Sequence, residues 1–227
     1  MTSIVMSQAM PIVFVVDDDY SVREALEVLI RIQGWHPVTF GSAQDFLEHP
    51  RVFVPNCLVL DISLPDLNGL DLQSRITLER REMPIIFITA CDDVRLTVRA
   101  MKAGAQEFLT KPVDDQVLLA AIRAALERSR SALAREMAIN TLRDYYASLS
   151  GRERQVMTLV VSGLSNRQVG NELGITEGTV KTHRGRVMEK MKAESIPDLV
   201  KIAAQLASRA SGRDPLCELV TDPEDFE

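Results

Sequence analysis

The chain has 227 residues, 46% of them hydrophobic, enough for two modest domains that each bury a core. No apolar run approaches the roughly 20 residues that span a bilayer. Met1 to Met10 has neither a basic n-region nor a long apolar stretch, so no membrane anchor or signal peptide is expected. Cys57, Cys91 and Cys217 are odd in number and far apart, which argues against a disulfide framework or a zinc site and for a reduced, cytoplasmic setting. The net charge of −6 is unevenly spread: −6 over 10–125, +1 over 126–149, +4 over 150–210 and −5 over 211–227. The one strongly basic segment makes nucleic acid a reasonable partner there, although charge alone fits a solvated basic surface equally well.

Residues 11–125 alternate short apolar runs with amphipathic stretches. The runs predict strands at 12–16, 36–40, 57–60, 85–88 and 106–109. The stretches predict helices at 21–33, 42–48, 68–79, 93–103 and from 114 onward. Such alternation calls for a parallel sheet covered on both faces. The runs are nearly all apolar, as burial on two faces requires. Gly34 and Gly104 stand where helices should stop. We read 11–125 as one α/β domain behind a short extension, 1–10.

From Val113 to Ser150 there is neither Gly nor Pro, and 126–147 reads as a helical linker. Leu119, Ile122, Leu126 and Leu133 keep a seam close to a seven-residue repeat, with Met137 one place off it. The seam either pairs with a second copy of itself or belongs to a terminal domain helix followed by a charged linker.

Residues 148–208 lose the strand runs and take helical spacing, predicting helices at 151–161, 166–173, 177–191 and 197–208. Ser150 to Glu153 and Ser165 to Gln168 have capping-box form. An acidic, disordered tail is expected over 209–227.

Four apolar runs end in polar residues. Val16 leads into Asp17, Asp18 and Asp19, Leu60 into Asp61, Ile88 into Thr89, and Leu109-Thr110 into Lys111-Pro112. In an open parallel sheet the carboxyl ends of neighbouring strands share an edge, where ligands bind. Carboxylates gathered there repel unless a cation joins them. Mg2+ takes one or two carboxylates together with phosphate oxygens and waters. It neutralises a transferring phosphoryl group, as Lys111 could from the other side. A carboxylate attacking phosphorus gives an acyl phosphate, and Thr89 could hydrogen-bond a phosphoryl oxygen. Each residue alone has a commoner explanation, a helix cap or a loop; order, strand context and spacing together are specific.

Over about 10–130 these residues resemble the receiver domain of two-component response regulators. The resemblance lies in Asp17-Asp18, in Asp61 with Leu64-Pro65-Asp66 and Asn68-Gly69, in Thr89-Ala90 and in Lys111-Pro112. It implies a flavodoxin-like fold, five parallel strands in the order 2-1-3-4-5. By position it makes Asp61 the phosphoacceptor, Asp18 a direct and Asp17 an outer Mg2+ ligand, and the Ser63 main-chain carbonyl a further ligand. Thr89 and Lys111 match the family's signalling pair, and Phe108 its aromatic switch position. In the implied mechanism Asp61 accepts phosphate from a histidine on a sensor kinase. Thr89 then moves inward, Phe108 rotates into the space it leaves, the face around 92–114 changes, and two copies dimerise. Cys91 is expected to pack in its loop, with control of water access or oxidation sensing as the alternative.

Ser165 to Met191 reads as helix, tight turn, helix. Val169, Leu173, Ile175, Val180 and Val187 form a core seam, Gly174 breaks the first helix and Thr176 caps the second. A helix-turn-helix sets the N-terminal residues of its second helix on base edges in the major groove. Lys181 and Arg184 lie near one face, and Thr176 and Thr179 can reach phosphates. His183 has no neighbouring Cys or His to form a metal site. The stretch 148–207 resembles the LuxR-type four-helix DNA-binding domain. It does so through Leu149-Ser150, Glu153-Arg154-Gln155-Val156, Gly163, Asn166, Glu172-Leu173-Gly174-Ile175, Thr179-Val180-Lys181, His183 and Lys190-Met191. The resemblance turns Val180, Lys181 and Arg184 toward bases, and Thr176, Thr179, His183 and Lys190 toward the DNA backbone. Gly170 and Gly185 depart from it and should weaken their helices slightly.

Together the two halves resemble the FixJ/NarL group of response regulators, in its FixJ-like branch. The resemblance implies a bacterial transcription regulator controlled by phosphorylation, not an enzyme beyond its own modification. The implied partners are a sensor histidine kinase, double-stranded promoter DNA, RNA polymerase and a second copy of the chain. A rival reading uses Asp17 and Asp19 as nucleophile and acid of a haloacid-dehalogenase-type phosphohydrolase, but it leaves Asp61 and the whole helical domain without a role.

Overall fold

The computed structural model describes residues 10–80, 82–90 and 93–207. The acidic tail, Cys91 and all but Met10 of the N-terminal extension lie outside these residues. The chain divides into two compact units, 1–134 and 135–227.

The first unit is a five-stranded parallel sheet: β1 (Ile12–Val16), β2 (His36–Phe40), β3 (Asn56–Asp61), β4 (Ile85–Thr89) and β5 (Glu107–Thr110), in the order β2-β1-β3-β4-β5. The flavodoxin-like order is the one expected. The intervening helices are α1 (Tyr20–Ile32), α2 (Ala43–Glu48), α3 (Gly69–Glu79) and α4 (Val94–Lys102), and α5 (Asp115–Ala147) follows β5. Alternate strand residues face opposite layers. Phe14, Leu58, Leu60 and Phe87 meet Phe46 of α2, Leu72 and Ile76 of α3, and Ala100 of α4. Val13, Val15, Val59, Ile86 and Ile88 meet Leu26 and Ile30 of α1 and Leu118, Ile122 and Leu126 of α5. β5 starts one residue later than predicted: Gln106 donates its amide to Ile85 O (2.7 Å) from just outside the strand.

In the register Val16 pairs with Leu60, Asp61 with Ile88, and Thr89 with Thr110. The strands therefore end together, and the polar residues that follow them share one edge. Gly69, the first residue of α3, lets that helix approach the same edge. A Cβ there would lie 2.8 Å from Asp61 O and 2.9 Å from Ile62 Cα, closer than side chains come to backbone.

The helix expected from 114 onward continues through the expected linker. One helix of 33 residues runs from Asp115 to Ala147. Its seam residues Leu119, Ile122, Leu126 and Leu133 are only 6, 0, 3 and 2% exposed in the single chain. This overturns the paired-helix reading, because the seam is already covered without a second copy. Ser129, fully buried, accepts the Asn56 amide at the start of β3 (3.1 Å), and so fastens the helix to the sheet past residue 125.

The second unit, over its described residues, is all helical. Leu142, Tyr145 and Tyr146 of α5 pack on the core of α6 (Gly151–Val161), α7 (Asn166–Leu173), α8 (Glu177–Lys190) and α9 (Ile196–Ala207). Both capping boxes form: the Ser150 amide donates to Glu153 Oε2 (2.8 Å) and the Ser165 amide to Gln168 Oε1 (2.9 Å). Gly174 ends α7 at φ +64°, the left-handed conformation that favours glycine. Thr176 then caps α8, accepting from the Thr179 amide (3.2 Å). Gly170 is no defect of α7. A Cβ there would sit 2.8 Å from Ile175 O, so the turn between the two helices closes only over a residue without one.

Candidate functional site

Asp17, Asp18 and Asp61 each offer a carboxylate oxygen within 4.8 Å of the others, with Asp17 and Asp61 buried and Asp18 exposed. Lys111 Nζ bridges two of them, 2.8 Å from Asp17 Oδ2 and 2.8 Å from Asp61 Oδ2. Burial works against its charge, yet hydrogen bonds to both carboxylates hold its pKa above the usual lysine value. Asp17 Oδ1 accepts the Asp19 amide (2.9 Å) and Asp61 Oδ1 the Ser63 amide (3.0 Å). Both Asp17 oxygens are thus engaged, whereas Asp18 faces solvent. The donor set is hard oxygen throughout, clustered closely enough to share one ion, which fits Mg2+.

Asp19 Oδ1 accepts the Ser21 amide (2.8 Å) as the N-cap of α1 and stands outside this cluster. That removes the acid the phosphohydrolase reading needs. Asp66 does a similar job for a neighbour, accepting the amides of Ala43 (3.3 Å) and Gln44 (2.9 Å) at the start of α2. Slight burial opposes its charge, but those amides hold its pKa below the usual carboxylate value.

Thr89, fully buried, ends β4 at the same edge. Phe108 is half-buried on β5, its ring centroid 6.2 Å from that of Phe87 in the core. On α4, Val94, Val98 and Met101 repeat at helical spacing and are 74, 44 and 43% exposed, an apolar stripe open to solvent.

On α8 the structure separates residues that the sequence grouped. Thr176, Thr179 and Lys181 are exposed. Val180 is 0% exposed and belongs to the core with Val169 and Val187, so its expected place toward bases is corrected. Arg184 is half-buried and hydrogen-bonds Asn166 Oδ1 of α7. His183 is half-buried. Lys190 turns inward, its Nζ 2.7 Å from Glu153 Oε2 and 3.2 Å from Ser148 O. That hydrogen bond, with the one from the Ser150 amide, holds the buried Glu153 carboxyl down at about 2.

Thr182 and Arg186 on the same helix were not singled out from the sequence. Both are exposed, and Thr182 shares a face with Gly178, Gly185 and Glu189 at spacings of three, four and seven residues. The signal was available: it is the face opposite Val180 and Val187. At Gly185 a Cβ would meet nothing within 4 Å, so packing does not require a glycine there.

Among the described residues no helix is long and apolar enough to cross a membrane. Residues 13–123 match the family model "Response regulator receiver domain", and 147–203 match "Bacterial regulatory proteins, luxR family". The chain is 47% identical over 200 residues to Nodulation protein W of Bradyrhizobium diazoefficiens, covering 88% of each. It is 40% identical over 198 residues to the transcriptional regulatory protein FixJ of Azorhizobium caulinodans, covering 87% of this chain and 93% of that one. Among solved structures it resembles the response regulator StyR with a TM-score of 0.76 and 46% identity, over 87% of this chain and all of the other.

Proposed function

We infer a phosphorylation-controlled switch from one premise: the chain belongs to the FixJ/NarL group of two-component response regulators, with a receiver domain and a LuxR-type DNA-binding domain. It is a two-component transcriptional regulator. The observation that carries the mechanism is Lys111 Nζ, which touches Asp17 and Asp61 at 2.8 Å each at the shared strand edge.

Asp61 is the phosphoacceptor. One of its carboxylate oxygens attacks the phosphorus of a phosphohistidine on the sensor kinase. The O–P bond forms as the N–P bond breaks, and the imidazole leaves with a proton taken from solvent. Asp18 and Asp61, with Asp17 in the outer shell and the Ser63 carbonyl, would hold Mg2+, which supplies neutralisation of charge on the transferring phosphoryl group.

The acyl phosphate presents Lys111 with a stronger acceptor than a carboxylate and draws the Thr89 hydroxyl inward. Phe108, at the surface end of the Phe87 contact, turns into the space Thr89 leaves. The change reaches α4, whose exposed Val94, Val98 and Met101 form the surface two copies share. Dimerisation raises the effective concentration of the second α8 at a two-part promoter site. Lys181, Thr182 and Arg186 read or grip DNA from the exposed face, with Thr176 and Thr179 at phosphates. Arg184 and His183 flank that face. Contact with RNA polymerase and action in the cytoplasm belong to the same reading, which divides the chain into receiver, helical linker, DNA-binding domain and tail.

The test uses the full chain with Mg2+ and acetyl phosphate. One phosphoryl group per chain, read as a mass shift, and a larger particle in light scattering are expected. Asp61→Asn abolishes both. Labelling that survives Asp61→Asn refutes the assignment.

A further inference from the structure

Arg23 lies on α1, away from the residues assigned to phosphoryl transfer, yet its guanidinium reaches back beneath them. Nη1 donates to the main-chain carbonyl of Asp17 at 2.7 Å and to that of Asp18 at 2.9 Å. The same group lies against the turn after β2, where a Cβ on Gly41 would be 3.6 Å from Nη1. Its carbon stands 5.6 Å from the Tyr20 ring centroid, stacked on the first turn of its own helix. One half-buried, charged donor thus ties both acidic residues of the β1–α1 loop to the helix that follows.

We propose that Arg23 is a positioning residue for the cation site: it fixes the backbone of Asp17 and Asp18 so that their carboxylates stay gathered with Asp61. The inference rests on the reading that this cluster holds Mg2+. A carboxylate sits two bonds beyond its Cα, so the peptide orientations at 17 and 18 decide where the acids point. Like charges at this separation push the loop open. Other bonds hold Asp17, through its amide to Phe40 O at 3.3 Å and its side chain to Lys111. For Asp18, the direct ligand of the proposal, the Arg23 bond restrains the carbonyl.

A second role for the same side chain makes the opposite prediction. If Arg23 acted through charge alone, a guanidinium near the cluster would oppose a divalent cation, and removing it would tighten binding. Positioning requires that removal loosen binding, since two charge-assisted hydrogen bonds are lost.

The experiment titrates the full chain with Mn2+, read by the electron paramagnetic resonance of free ion, in parallel with a thermal melt without metal. Arg23→Ala is expected to weaken Mn2+ about tenfold, the loss of about 1.4 kcal/mol. Arg23→Lys keeps the charge and reaches one carbonyl, so a loss of about threefold is expected. Unchanged or tighter binding in Arg23→Ala overturns the inference. If that variant melts below the assay temperature, wild-type affinity in Arg23→Lys overturns it instead. Asp18→Asn separates the two layers of argument. Absent binding in the unaltered chain, or binding that Asp18→Asn does not weaken, overturns the metal reading itself rather than the role of Arg23.

Discussion

Lys190→Met is expected to destabilise the helical unit by about 2 kcal/mol and to leave the salt dependence of DNA binding unchanged. The Lys190 ammonium stands 2.7 Å from a Glu153 side chain that is 4% exposed, while its own side chain is 37% exposed. Stripping the partner from a buried carboxylate costs about 3–5 kcal/mol, and an exposed pair is worth about 0–1 kcal/mol. This pair lies between those limits, and the Ser150 amide remains to hold Glu153. Glu153→Gln keeps an acceptor for that amide and should cost about 1 kcal/mol. Combining the two changes should cost less than their sum, because each removes the same contact. The sign of the pH effect follows. A carboxyl depressed in the folded state stabilises above its unfolded value of about 4.3, and the contribution is lost as pH falls through about 2. The Lys190→Met protein should therefore lose less stability than the unaltered one across that acid window. Urea unfolding by circular dichroism, with hydrogen exchange of α6, measures the cost. Titration with a duplex selected from a random pool, at several salt concentrations, measures the rest. Lys181→Ala should lower the logarithmic salt slope by about 0.9, one phosphate contact, whereas Lys190→Met should not. Unchanged stability in Lys190→Met with a slope lowered by about 0.9 would make Lys190 the phosphate ligand that the sequence suggests, and would refute a stabilising role for its pairing with Glu153.

Two further outcomes test how the sheet is built. Ser129→Ala leaves the buried Asn56 amide without its 3.1 Å acceptor and should cost about 1–3 kcal/mol in urea unfolding, while Ser129→Thr keeps a hydroxyl and should cost less. Gly69→Ala sets a Cβ 2.8 Å from Asp61 O and 3.3 Å from the Phe87 ring, so it should cost about 1–3 kcal/mol and slow labelling by acetyl phosphate; equal stability and equal labelling would show that α3 can retreat without disturbing Asp61.

The receiver half was legible because its strands are buried on both faces. Runs such as Val13 to Val16 and Ile85 to Ile88 are apolar throughout, and the polar residues that interrupt them mark the strand ends at which Asp17, Asp61, Thr89 and Lys111 meet. The helical half was legible as elements, since its capping boxes and Gly174 are local signals. Its surface was harder to read. Val180 fitted both a core seam and a base contact, but one side chain faces one way, and the core holds it. Arg184 and Lys190 carry long side chains whose partners, Asn166 and Glu153, are 18 and 37 residues away. Local spacing does not rank such partners above DNA. The Leu119 to Leu133 seam failed for another reason: over two heptads, periods of 3.5 and 3.6 residues differ by too little to tell a partner helix from the chain's own sheet. Arg23 left no trace, because its partners are carbonyl oxygens, which every residue has.

The far end of α5 bears on where this protein can be cut. Leu142, Tyr145 and Tyr146 close over the helical core, Arg154 donates to Ala147 O at 3.1 Å, and its guanidinium carbon sits 5.4 Å from the Tyr146 ring centroid. A fragment trimmed to the homology boundary at 147 would shed three apolar lids, among them the ring beneath that arginine. An isolated DNA reader that keeps its own floor must begin upstream of Leu142.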